Sequence, residues 1–213
     1  MNIEKLFNSK INAFADWVIR LVMINLMVIV FALPVLTIYP AISAGYNMFH
    51  DYTTGKEVKL ISGFFNYFKQ EIIKKMILGV IIGIAIVFGF LNVRYYSAVL
   101  ELNSSTFYLI GYYVTLALLA ILYASSLYSF VVVKVSPTIK LKNIFRLSLV
   151  LAGKFYFRTL LLVIINSSVF LLLFFAPTAM VFIFMGISIV LLLDVLVTKD
   201  VVIYLQGLGK DNG

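Results

Sequence analysis

Five apolar runs, at about 14–33, 76–93, 107–133, 156–176 and 179–197, take up about half of this 213-residue chain. Each is close to the ~20 residues that an α-helix needs to cross ~30 Å of hydrocarbon. Composition agrees: 63% of residues are apolar, 12% are charged, and mean hydropathy is +1.08. A soluble domain is about half apolar and about a quarter charged. A soluble fold of this length has no core large enough to hide the excess, so the bilayer must be the solvent for much of it. Only helices cross one at a time, because their backbone groups pair internally. The expected fold is all-α, a polytopic membrane helix bundle forming one transmembrane domain over 1–213.

The residue inventory narrows the chemistry. There is no cysteine, and His50 is the only histidine. Thiol nucleophiles, disulfides, thiolate metal sites and clustered-histidine sites are therefore excluded. Neither a Gly-x-Ser-x-Gly elbow nor a phosphate-cradling Gly-x-x-x-x-Gly-Lys-Ser/Thr loop occurs. No catalytic residue, cofactor or metal ligand is assigned, and the reading is not an enzyme. Net charge is +8, but the charges lie between apolar runs. They point to a lipid bilayer as partner rather than to nucleic acid. A cleavable signal peptide fits less well: Lys5 and Lys10 precede the first run and Ala41-x-Ser43 resembles a cleavage site, yet the apolar stretch from Trp17 exceeds the 7–15 residues of a signal core.

The segment Leu33 to Pro40, LPVLTIYP, interrupts the chain after its first run. Proline lacks an N–H and biases the residue before it away from helix. Val35 to Tyr39 is expected to be irregular or extended, with Pro40 in the first turn of a short helix at about 40–53 that ends near Thr53-Thr54-Gly55. Two threadings are open. If the short helix stays on the surface, five crossings leave 13 Lys/Arg on one side against Lys5, Lys10, Arg20 and Arg94. If the break turns the chain back as an N-terminal hairpin, 16 face Arg94 alone. The positive-inside rule favours the hairpin, with both termini cytoplasmic. An extended break within the membrane needs covering by protein, so the hairpin predicts that LPVLTIYP is buried.

Two stretches preceding crossings are amphipathic. In 60–75, Leu60, Ile61, Phe64, Phe65, Phe68 and Ile72 share an arc, opposite Ser62, Asn66, Lys69, Gln70 and Lys74; Glu71 and Lys75 intrude on the apolar side. In 140–154, Leu141, Ile144, Phe145, Leu149 and Ala152 oppose Lys142, Asn143, Arg146 and Lys154. Basic amphipathic helices of this kind lie in the cytoplasmic headgroup layer. Lys59-Leu60 and Lys140-Leu141 each open a unit of amphipathic helix, crossing, outer turn and return, which suggests a weak parallel repeat of 59–133 and 140–199. The outer turns fall at about 94–106 and Ala176–Thr178. Tyr95, Tyr96, Tyr108, Tyr112 and Tyr113 read as an outer interfacial belt.

Arg20 and Asp194 are ionisable groups inside apolar runs, and such groups are functional candidates. Three arrangements are open: Arg20 snorkels or bonds Asp16 one turn away, Arg20 and Asp194 form an intramembrane pair, or the two couple to transport. Asn25, Asn47 and Asn166, with Ser125, Ser126, Ser167 and Ser168, either bond between helices or line a polar path. Gly79, Gly83 and Gly89 read as close-packing positions. His50-Asp51 reads as structural. Asn103-Ser104-Ser105 and Asn166-Ser167-Ser168 match the short glycosylation pattern.

Asn25-Leu26, Leu33-Pro34, Thr37-Ile38, Pro40-Ala41 and Ala44, followed by Phe64-Phe65 and Phe68-Lys69, together resemble the N-terminal signature of the YesL family of small bacterial membrane proteins. The resemblance is carried by residues 20–75. Tyr39, Glu71 and Ile72 depart from the family pattern, which marks a divergent member. The resemblance implies an accessory or regulatory role in carbohydrate uptake, with permease subunits of an ABC transporter as partners; it brings no catalytic residues. The alternative is a small-solute carrier or channel with a polar path through Asn25, Asn47 and Asn166. An intramembrane enzyme ranks third.

Overall fold

The computed structural model describes residues 3–102, 105–173 and 182–210, with side chains over 11–102, 105–168 and 182–208. Among these residues the chain is helical and no strand occurs. Four segments are long and apolar enough to cross a membrane, namely Ile11–Ala32, Ile72–Leu102, Thr106–Val135 and Phe182–Leu208, and a bent helix pair raises the number to as many as five. The expected outer turn at Ala176–Thr178 and the Asn103-Ser104-Ser105 site fall on or across residues outside the described ones. Backbone contacts group the chain into two compact units, Met1–Gln70 with Ile165–Leu196 and Glu71–Ile164 with Val197–Gly213.

In the first unit, α1 (Ile3–Ala32) contains neither glycine nor proline and runs unbroken to the LPVLTIYP segment. The break is a single 3-10 turn, Val35–Thr37, and α2 (Ile38–Thr53) follows directly. This corrects the irregular or extended segment expected over Val35–Tyr39. Pro40 is the third residue of α2, where a missing N–H costs nothing because the first four amides of a helix have no internal partner. The Thr37 hydroxyl lies 2.7 Å from the Phe31 carbonyl and 2.8 Å from that of Pro34, closing the end of α1. With its backbone bonds made locally, the break needs no covering: Leu33, Val35, Leu36 and Ile38 are exposed, against the expectation of burial, and only Tyr39 and Pro40 are buried.

α2 returns antiparallel along α1. Gly45 sits against Val28 and Ile24, and further along α2 the Tyr52 ring meets Trp17 and Arg20. A Cβ on Gly45 would lie 2.8 Å from Leu191 Cδ1 and 3.0 Å from Val28 Cγ2, so glycine sets this close approach. α2 ends as the residue types predict. Gly55 at φ +77° allows Lys56 N–H to reach Asp51 O at 2.9 Å and Gly55 N–H to reach Tyr52 O at 3.2 Å, a Schellman cap.

The amphipathic stretch expected over 60–75 is interrupted. α3 (Leu60–Lys69) stops at Gln70, Glu71 adopts φ +52°, and α4 (Ile72–Leu102) begins in the second unit. The aromatic arc of α3 faces protein: Phe31 lies 5.7, 5.1 and 5.0 Å from the ring centres of Phe64, Phe65 and Phe68.

The second unit packs α4 against α5 (Thr106–Val135) and α5 against α6 (Leu141–Lys154). Gly89 receives Leu119, and Gly111 receives the Tyr96 ring. Gly83 meets nothing, so the predicted packing role holds for Gly89 and not for Gly83. Of the five tyrosines read as an outer belt, Tyr95 and Tyr113 are exposed and Tyr96, Tyr108 and Tyr112 are half-buried. α6 bends by 104° into α7 (Tyr156–Leu173), the bent pair noted above. A π-helical stretch, Phe182–Gly186, leads into α8 (Ile187–Lys210).

Candidate functional site: the polar interior of the helices

Asn25 is fully buried on α1 and belongs, with the π-helical stretch, to the first unit. Its amide nitrogen donates to the Ile183 carbonyl at 2.6 Å, and its amide oxygen accepts from the Ser188 N–H at 3.0 Å. In a π-helical turn those two backbone groups, five residues apart, would bond to each other. The Asn25 carboxamide bonds both. One signature residue therefore joins α1 to the irregular start of α8.

Asp194 is buried in α8 and accepts from the Asn166 amide of α7 at 2.8 Å. Arg20 does not reach it: Arg20 pairs with Asp16 at 3.4 Å, one turn back, and lies over the rings of Tyr52 (4.4 Å) and Trp17 (5.6 Å). The Arg20–Asp194 pair is thus replaced by a local pair. The physical reason is reach: Asp16 lies on the same helix face, and two aromatic faces hold the guanidinium there.

The proposed path through Asn25, Asn47 and Asn166 is also not assembled. Asn25 is bonded into α8 and Asn166 to Asp194. Asn47 makes no bond to either. It lies on a stripe of α2 with Ser43 and His50, at four- and three-residue spacing, on the face turned from Gly45. All three are buried. The Ser43 hydroxyl, the Asn47 amide oxygen and, on α8, the Ser188 hydroxyl have no hydrogen-bond partner among the described residues.

At the end of α2, buried Asp51 accepts from the Tyr67 hydroxyl, has His50 Nδ1 at 3.5 Å and Lys56 Nζ at 3.9 Å. Burial, then the bond to Asp51, holds the Tyr67 phenol well above its usual range, so it stays protonated as the donor. Composition drew attention to His50-Asp51 but gave no sign of Tyr67, whose partner is 16 residues away in sequence.

In the second unit, Ser125 and Ser126 bond the carbonyls of Leu122 and Tyr123 in their own helix, so they are not interhelical ties. Ser168, in the first unit, does the same to Ile165. The bend between α6 and α7 is secured by Thr159, whose hydroxyl donates to Ala152 O at 2.8 Å and lies 3.0 Å from the Tyr128 hydroxyl. Arg158 pairs with Asp200, and Lys154 sits 3.6 Å from the Tyr204 ring centre. Lys75 is buried in the first turn of α4. Its place on the apolar arc of 60–75 was the sequence signal for this.

Residues 21–93 match a family described as "Protein of unknown function, DUF624". The match begins just before Asn25, takes in the break, α2 and α3, and ends within α4. No curated protein and no solved structure matches the chain.

Proposed function

We propose that this chain is a non-catalytic protein of the bacterial cytoplasmic membrane that serves as an accessory or regulatory component beside a carbohydrate ABC-type importer. The observation that carries the non-transporting half is the Asn25 amide, both ends of which are bound into the α8 backbone. A side chain committed in this way builds a scaffold rather than a path. The importer half comes from the YesL resemblance; the family matched over 21–93 includes YesL-like proteins. The threading is five crossings plus the α1–α2 hairpin, with both chain ends cytoplasmic. Antiparallel packing of α2 on α1 and the 16-to-1 charge asymmetry support it. The 104° bend before α7 and the exposed cations of α6 support placing α6 in the headgroup layer.

Tagging the protein at native level and isolating it in mild detergent tests the role. Permease subunits of an ABC importer should be recovered in stoichiometric amount; repeated recovery of the protein alone overturns the reading.

A carrier is the second reading. It is favoured by the buried polar atoms of Ser43, Asn47 and Ser188 in the first unit, which have no hydrogen-bond partner among the described residues. It requires solute flux in proteoliposomes that falls on Asn47→Leu; flux indifferent to that change removes it.

A further inference from the structure

The second unit holds an open apolar groove of about 490 Å³ at the elbow where α6 turns into α7, walled by α5. Its floor is made possible by small residues, Ala120 and Ala124 on α5 and Gly153 on α6, and its sides by Leu149, Tyr156 and Leu160. The size is within the ~300–1,000 Å³ of ligand pockets. Thr159 is the one hydroxyl-bearing residue there besides Tyr156, and its oxygen is engaged by Ala152 O and Tyr128. Apart from the exposed Tyr156 hydroxyl, the lining thus offers hydrocarbon, which suits an acyl chain better than a sugar.

What identifies the other end of the ligand is charge. At 100° per residue, Lys142, Arg146, Leu149 and Gly153 fall on one arc of α6, spaced four, three and four residues apart. Along the helix Lys142 lies roughly 10 Å and Arg146 roughly 4.5 Å before Leu149, the first α6 residue of the groove. Most neighbouring cations are engaged: Lys74 on the Pro137 carbonyl, Lys154 on Tyr204 and Arg158 on Asp200. Lys142 and Arg146 are exposed and make no ion pair, hydrogen bond or ring contact among the described residues. An amphipathic helix with spare cations, meeting a crossing helix at a bend lined with hydrocarbon, presents headgroup and tail contacts in the order a phospholipid needs them.

We infer that this elbow is a binding site for one anionic glycerophospholipid, with its phosphate on Lys142 and Arg146 and an acyl chain in the groove over Gly153. The test uses the full chain in nanodiscs of equal phosphatidylglycerol and phosphatidylcholine, released and weighed by native mass spectrometry. One phosphatidylglycerol should be retained, at least about fivefold over phosphatidylcholine, the preference expected of a lysine or arginine near an anionic surface. Lys142→Gln with Arg146→Gln should bring the two lipids to parity. A Cβ at Gly153 meets nothing within 4 Å, so Gly153→Phe should fill the groove without disturbing the helices and abolish retention of both. No retained lipid in the parent protein, no headgroup preference, a preference surviving loss of both cations, or Gly153→Phe retaining lipid as the parent does would each overturn the site. Should Gly153→Phe fail to fold, Leu160→Trp on a Trp17→Phe background replaces it. Its fluorescence should be quenched by acyl-brominated phosphatidylglycerol at a lower mole fraction than by the phosphatidylcholine analogue, and coincident curves count against the inference.

Discussion

The Asn25 side chain is the clearest case of one residue holding two elements together. Its removal takes their Asn25 partner from the fully buried Ser188 N–H and from the part-buried Ile183 carbonyl. Leaving a buried polar group unsatisfied costs about 1–3 kcal/mol, so Asn25→Ala should lower the unfolding midpoint in detergent clearly. The control lies beside it: the Ser188 hydroxyl has no partner among the described residues, and Ser188→Ala should leave the midpoint unchanged or raise it slightly. Differential scanning fluorimetry of the two variants reads both. Equal effects would show that Asn25 contributes only volume. The sequence marked Asn25 as a buried amide inside an apolar run, and that much was legible. Its partners were not, because the residues Phe182–Gly186 carry no pattern that distinguishes a π-helical stretch from an α-helix. Arg20 illustrates the converse. Its partner Asp16 was legible from four-residue spacing alone, whereas Asp194, 174 positions away, could be matched to it only by assuming a common depth in the membrane.

Interruptions are what the elements have in common. Backbone groups freed away from water must find partners, and three of the breaks here have a dedicated side chain: Thr37 at the turn between α1 and α2, Thr159 at the bend between α6 and α7, Asn25 at the start of α8. Thr37→Val keeps the shape and removes the hydroxyl, and should cost about 1 kcal/mol, while Thr37→Ser should retain most of the stability. A Thr37→Ser as damaging as Thr37→Val would mean that packing of the methyl, and not the bond to Phe31 O, holds the break. Gly55 tests the other end of α2. Nothing crowds it, yet its φ of +77° suits glycine, so Gly55→Ala should cost about 1–2 kcal/mol despite the open space. Prolines 34 and 40 placed the break correctly in the sequence. They did not reveal that one 3-10 turn suffices to make it, because proline reports which bond is missing and not what replaces it. The helix 60–75 failed for a similar reason: periodicity continues through Gln70 and Glu71, and a single positive φ at Glu71 ends the element without any change in hydrophobic pattern.

For the molecule as a whole, the membrane class was legible from run length alone, while the threading rests on charge and on the antiparallel contact of α2 with α1. The contact stands without the charge count, whereas the 16-to-1 count is the one the hairpin gives and the surface threading would leave 13 against four. Gly45 against Val28, and Tyr52 against Trp17 and Arg20, require the chain to double back whatever surrounds it. On the proposed threading, the count of 16 Lys/Arg against Arg94 assigns both ends of the hairpin to the cytoplasmic side. The absence of cysteine makes the prediction simple to test, since every introduced thiol is the only one. In intact cells, a membrane-impermeant maleimide should label Ser105→Cys, at the start of α5, and should fail to label Asn2→Cys or Gly207→Cys until the membrane is opened. Labelling of Asn2→Cys from outside, with Gly207→Cys still protected, would mean that the doubled-back α2 does not return the chain across the bilayer and that the surface threading is correct. Labelling of Gly207→Cys from outside would overturn both threadings, because each places the end of α8 in the cytoplasm. A graded version follows from the charge argument. Replacing Lys56, Lys59 and Lys69 together by glutamine takes three of the 16 cations from the loop after α2 and from α3, and should leave the labelling pattern intact. Adding three arginines beside Arg94 narrows the asymmetry from the opposite side, and should begin to expose Asn2→Cys if positive charge, rather than the α1–α2 packing, is the dominant determinant of orientation.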